Sequence, residues 1–259
     1  MTEGYVHGYA SEEQERLVAQ AEHWRHELIL PGTDLAPGTR LLEVGSGVGA
    51  VLGILGQVFP DLVLAGVDFE ERQVEAARAH LGRLGLDADL RQADALALPF
   101  ADESFDHVWM MWFLEHVSDP VAALREARRV LVLDGGITAI EVDYNTVWAS
   151  PTSDAFEALF AAVVRAMDVT GRSDAASRLP EWLHDAGFRS VDPGERRLEY
   201  SGASLARQVP YVAAVVESTL AGRDVDAAQL EAGLADLHAL ATTPGAAMGW
   251  TVGKATAVR

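Results

Sequence analysis

The sequence predicts a doubly wound α/β fold with a mainly parallel sheet. Three observations predict it. Short apolar runs at 40–44, 62–67, 105–111 and 137–142 alternate with amphipathic runs of helix length, which is the pattern of βαβ units. A glycine-rich turn, Gly45-Ser46-Gly47-Val48-Gly49, joins the first of these strands to the helix after it. The chain of 259 residues is 49% hydrophobic and 23% charged, ordinary values for a globular protein with a core of useful size. Parallel strands need crossovers, and crossovers are right-handed, so helices cover both faces of such a sheet.

The elements follow in order. Ser11-Glu12-Glu13-Gln14 has the form of a capping box. It opens a helix expected to run to about Leu30, where Pro31-Gly32 stops it. Residues 40–44 form a short apolar strand and 48–59 a helix. Residues 62–67 are again a strand, and 70–84 an amphipathic helix with Val74, Ala77 and Leu81 on one face. A short, weak strand is expected at 89–92 and a strong one at 105–111. Asp119 caps a helix with Pro120 in its first position, running to about Leu133. Asp134-Gly135-Gly136 then turns the chain into a strand at 137–142. Farther on, helices are expected at 153–168, 179–186, 205–220 and 226–240, with strands at 190–200 and 248–258. The domain reading is a helical lead-in over 1–38 and one domain over 39–259. Helical insertions at about 150–172 and 203–242 would cover a ligand pocket or form the contact of a homodimer.

Charge and composition exclude several functions. Twenty Lys and Arg against 39 Asp and Glu give a net charge of −19. Such a chain lacks the cation surplus that binding nucleic acid or anionic lipid requires. Lys254 is the only lysine. There is no cysteine, which excludes disulfides, thiolate metal sites and a cysteine nucleophile. The eight histidines show no metal-ligand spacing. No signal-like or membrane-spanning stretch is read, so a cytosolic (cytoplasmic) protein is expected.

The chemistry concentrates at strand ends. Glycines at 45, 47 and 49 let the chain turn tightly and a ligand approach the backbone, while a helix N-terminus favours anionic groups. The same glycines satisfy a dinucleotide fingerprint through Ala50. Asp68 ends the next strand, where a carboxylate can accept from both ribose hydroxyls; alternatively it caps the helix that follows. Asp94 follows the third strand, and the run from Asp106 to Val117 carries the fourth into the crevice at the carboxyl edge.

Together these residues resemble the class I S-adenosylmethionine-dependent methyltransferases, on the small-molecule branch that includes ubiquinone/menaquinone-type enzymes. The resemblance lies in Leu41-Leu42-Glu43-Val44-Gly45-Ser46-Gly47-Val48-Gly49, Gly66-Val67-Asp68, Ala93-Asp94-Ala95, Ser104-Phe105-Asp106 and Leu114-Glu115-His116-Val117. Leu131-Val132-Leu133-Asp134-Gly135-Gly136 departs from the Lys-Pro-Gly-Gly more common there. The resemblance implies a seven-stranded sheet and S-adenosylmethionine as cofactor, with S-adenosylhomocysteine as product. It assigns Gly45, Gly47 and Glu43 to the methionine part, and Asp68 to the ribose. It gives Phe69, Asp94 and Ala95 to the adenine, and the Met111 carbonyl to the ammonium. Tyr9 would close over the cofactor.

The expected reaction is an in-line methyl transfer to a small apolar or aromatic acceptor on O, N or C. His116 and Glu141 are the candidate bases, needed only if the acceptor arrives protonated. Trp112, Tyr144 and Trp148 are placed to line an acceptor pocket. Three other readings compete: a rearrangement or cyclisation that uses the sulfonium electrostatically, a non-catalytic binding module, and an NAD(P) oxidoreductase.

Overall fold

The protein is described from a computed structural model over residues 11–259 of its 259. The strands are β1 (Arg40–Val44), β2 (Val63–Asp68), β3 (Ala88–Gln92), β4 (Phe105–Met111), β5 (Leu131–Ser150), β6 (Arg189–Asp192), β7 (Glu195–Ser201) and β8 (Ala247–Val258). The α-helices are α1 (Ser11–Trp24), α2 (Ala50–Val58), α3 (Glu71–Arg83), α4 (Pro120–Val130), α5 (Asp154–Thr170), α6 (Ala175–Asp185), α7 (Gly202–Leu220) and α8 (Ala227–Leu240). None of the described helices is long and apolar enough to cross a membrane.

The strand order is β3-β2-β1-β4-β5-β8-β6, with β7 also paired to β8. Among the described residues the sheet therefore has eight strands rather than seven. The extra strand arises because the run expected as one strand at 190–200 is two. Pro193 has no N–H to donate, and Gly194 turns the chain at φ +52°. A Cβ on Gly194 would overlap the Lys254 carbonyl oxygen, so only glycine fits there.

The chain divides into two compact units. The first runs to Ile140 and adds Leu179–Gly194 and Lys254–Arg259. Its strands β1, β2, β3 and β4 and the first part of β5 are parallel. Leu41, Leu42, Val44, Val108, Met110 and Ile140 are fully buried, as strands covered on both faces require. Asp119 caps α4 by accepting from the Ala122 N–H at 2.9 Å. The turn expected at 134–136 survives as an irregularity within β5. Phe105 pairs with Leu131 and His107 with Gly136, so two steps along β4 match five along β5, and Asp134 sits at φ +65°. The first helix ends differently from expectation. Its last turn, Arg25–Ile29, is a π-helix.

The second unit comprises Glu141–Arg178 and Glu195–Gly253. Within it, α5, α7 and α8 pack on one another. Gly233 lets α8 approach α5, since a Cβ there would lie 2.6 Å from Leu159 Cβ. Ser153 caps α5 by accepting from the Phe156 N–H at 3.0 Å, and donates to Asp236 at 2.5 Å. Strands β7 and β8 pair antiparallel from Glu195↔Gly253 to Ser201↔Ala247, with α7 and α8 between them in sequence.

Candidate functional site

The site is built at the carboxyl ends of β1, β2 and β4 in the first unit. β1 ends at Val44, and Gly45, Gly47 and Gly49 follow at φ +73°, +49° and +70°. These are left-handed conformations that side chains resist, which explains the glycines. The Gly45 and Ser46 N–H groups both donate to the Val67 carbonyl at 2.9 Å, tying the turn to β2. A Cβ on Gly45 would overlap the Phe113 ring. Phe113 therefore packs directly on the turn, a contact that sequence reasoning missed.

Asp68 bridges two elements. One carboxylate oxygen accepts from the Gly47 N–H at 2.8 Å and the other from the Glu70 N–H at 3.0 Å. The N-cap position of α3 is Glu70, not Asp68. Burial pushes the Asp68 carboxyl up, and the N–H groups of Glu70 and Gly47 oppose that. Glu43 stands opposite Gly66 on β2 and Trp109 on β4. It is 3% exposed and accepts from the Leu52 N–H at 3.2 Å. Burial holds its carboxyl well above the usual carboxylate range, and the nearby Asp68 adds to this.

The pairing of Asp68 with Gln92, and the Ala93 N–H on the Asp68 carbonyl at 2.9 Å, bring the turn after β3 beside Asp68. Asp94 is exposed in that turn and accepts from the Leu96 N–H at 2.9 Å, with Ala95 half-buried next to it. The Phe69 ring is 62% exposed, an apolar face left open. At the end of β4, Met111 is buried and Trp112 sits at φ +49°, where its N–H donates to the Ile140 carbonyl at 2.8 Å. His116 lies on the short helix Leu114–His116, half-buried, with Nε2 3.3 Å from Glu115.

Glu43, Gly45, Gly47, Asp68, Phe69, Asp94, Ala95, Met111, Trp112 and His116 thus share one unit and one sheet edge. Glu141, Tyr144 and Trp148 belong to the second unit. Glu141 is fully buried, the Tyr144 N–H donates to the Ser173 carbonyl at 2.8 Å, and Trp148 is 40% exposed. Beside them Asp143 accepts from the Asn145 N–H at 3.0 Å and from the Ser177 hydroxyl. Tyr9 lies outside the described residues.

The donor set fits a ligand with an ammonium, a pair of vicinal hydroxyls and an aromatic base. It offers a buried carboxyl, a carboxylate at a strand end and an open aromatic ring, around a turn whose glycines clear the backbone.

A family profile described as a methyltransferase domain matches residues 42–139, which span this edge. Residues 42–139 therefore carry a methyltransferase domain, in line with the resemblance to the class I S-adenosylmethionine-dependent methyltransferases. Its cofactor is S-adenosylmethionine, and the dinucleotide reading of the glycine turn gives way. A demethylmenaquinone methyltransferase of Staphylococcus aureus (strain JH9) is 29% identical over 183 residues, 70% of this chain and 72% of that one. Solved structures share the methyltransferase fold. A S-adenosylmethionine-dependent methyltransferase from Aquifex aeolicus aligns with TM-score 0.55 and 19% identity, over 74% of this chain and 93% of that one. The 4+2 cyclase SpnF aligns with TM-score 0.58 and 23% identity, over 99% of this chain and 85% of that one.

Proposed function

We propose that this methyltransferase acts on a small apolar or aromatic organic acceptor. The observation that carries this is the similarity to a demethylmenaquinone methyltransferase, which extends well beyond the profile-matched residues 42–139. Partly exposed tryptophans at 112 and 148 support an apolar acceptor, and the charge of −19 disfavours a polyanionic one.

When bound, S-adenosylmethionine supplies an electrophilic methyl group on a sulfonium, open to in-line displacement. The chain's own residues bind and orient. Gly45 and Gly47 clear the backbone for the methionine part, and Glu43 answers its ammonium. Asp68 accepts from the ribose hydroxyls. Phe69 stacks on the adenine, and Asp94 and the Ala95 N–H read its edge. The Met111 carbonyl faces the ammonium. Trp112, at the end of β4, packs on the acceptor and excludes water. His116 or Glu141 takes the proton of an acceptor that arrives as a hydroxyl or ammonium.

The test is product analysis with planar phenols and quinols in the presence of S-adenosylmethionine. Methylated product and S-adenosylhomocysteine in equal amounts are expected. Cofactor binding without turnover across that panel would overturn the reading in favour of a binding module, and a rearranged, unmethylated product would overturn it in favour of a cyclase.

A further inference from the structure

We propose that Lys254, on the last strand, is a positioning residue that holds helix α1 over the glycine turn and so governs how long the cofactor stays bound. The inference rests on the cofactor assignment above, and its first test is independent of that assignment.

Lys254 is the only lysine and is 5% exposed. It donates to the carbonyls of Leu28 at 2.8 Å, Ile29 at 3.0 Å and Pro31 at 2.7 Å, and to the Thr33 hydroxyl at 2.8 Å. A buried charge is tolerable only when its hydrogen bonds are made. Here the acceptors come from the end of the π-turn that follows α1, where helix carbonyls and the helix dipole favour a cation. The Trp109 ring, 5.4 Å from Nζ, adds a cation–π contact. Thr33 is itself fixed, donating to the Ile29 carbonyl at 2.5 Å. Sequence separations of 221 to 226 residues make this a clamp between the two ends of the described chain.

What the clamp holds is the cover of the site. Helix α1 packs on α2, the helix that the glycine turn opens. A Cβ placed on Gly47 would lie 3.8 Å from Leu17 Cδ1, so α1 reaches directly over the turn. At the other end of α1, the Trp24 ring is 2% exposed and meets the Trp112 ring edge-on at 6.0 Å. One helix therefore covers both the turn after β1 and the loop after β4. A ligand seated against the Gly47 backbone lies beneath Leu17. Release requires α1 to lift, and Lys254 opposes lifting at the C-terminal end.

Two measurements on the full chain test this. Hydrogen exchange without ligand reads the clamp: Thr33→Val and Lys254→Met should both speed exchange across residues 14–30, with Lys254→Arg restoring part of the protection. Unchanged exchange in both variants would overturn the clamp. Dissociation of S-adenosylhomocysteine, followed by competition in stopped flow, reads the cover. Its koff should rise about threefold to tenfold in Thr33→Val and more in Lys254→Met, as loss of bonds to a charged donor implies. Leu17→Ala should raise koff while leaving α1 exchange near wild type. A koff within twofold of wild type in Thr33→Val and Leu17→Ala would overturn the retention role, even if Lys254→Met fails to fold. If the wild-type protein does not bind S-adenosylhomocysteine, the cofactor assignment is at fault, and the exchange measurement still decides the clamp.

Discussion

Two buried charged groups in the same unit are built in opposite ways. Lys254 donates to four oxygens within 3.0 Å, all from the protein itself. Glu43 is equally inaccessible, yet the one hydrogen bond it accepts among the described residues is a long one, from the Leu52 N–H at 3.2 Å. Desolvation of an ion costs several kcal/mol unless partners offset it. At Lys254 the offset is complete, so the charge serves the fold. At Glu43 it is incomplete, and the carboxyl is pushed well above its usual range. A bound ammonium would supply what is missing there. With the ligand roles proposed above, a sealed charge marks architecture, and an under-partnered one at a strand end is where the ligand's ammonium would sit.

The largest expected effect lies at the sealed charge. Lys254→Met should cost about 3–5 kcal/mol, because it leaves buried carbonyls without donors. Urea denaturation at pH 7.5 measures this. A loss below about 1 kcal/mol would erase the contrast with Glu43.

The next effect comes from the neighbour of that lysine. His107 is pushed down to about 4, mainly by burial, with the charge of Lys254 adding to it. Its Nε2 lies 3.0 Å from the Thr138 hydroxyl. The unfolded chain binds this proton below about pH 6.5, while the folded chain binds it only below about 4. Stability from this group is therefore full above 6.5 and falls as pH drops toward 4, by roughly 3 kcal/mol in all. His107→Gln should flatten that part of the pH–stability curve. A wild-type curve that is already flat there would remove His107 from the account.

Asp68 carries the third. Asp68→Ala should weaken S-adenosylhomocysteine binding at least a hundredfold by calorimetry, roughly 3 kcal/mol. The fold should lose only about 1–2 kcal/mol, because two N–H groups lose an acceptor near solvent. Micromolar binding retained in that variant would sink the ribose role.

How much of this was legible in the sequence depends on how local the signal is. The glycine turn, Asp68 and the cap at Asp119 were legible, because each acts within a few residues or at a strand end. The strands β1, β2 and β4 were legible as apolar runs. The Lys254 clamp was not. Its acceptors are main-chain carbonyls more than two hundred residues away, and carbonyls carry no residue signature. Its one sign was a lone charge in the apolar run of β8. Phe113 on Gly45 was hidden for the same reason, since packing across strands leaves no spacing to read. The expected single strand at 190–200 failed at Pro193-Gly194, where turn chemistry outweighed strand alternation.

The smallest effect is the sharpest discriminator, because its two readouts should move in opposite directions. Glu43→Gln keeps the shape and a hydrogen-bond acceptor and removes the ionisation. The folded carboxyl holds its proton to higher pH than the unfolded one. Wild-type stability therefore declines as pH rises from the ordinary carboxylate range through the raised value. The variant escapes that decline and should melt at or above the wild-type temperature at pH 7.5, and not above it at acid pH. Its affinity for S-adenosylhomocysteine should nevertheless fall about tenfold, because the ligand's ammonium loses its anion. Lys254→Met should instead lose stability and affinity together. If Glu43→Gln behaves in the same way, losing both, then Glu43 is an architectural residue too, and incomplete partnering is no guide to where the ligand binds.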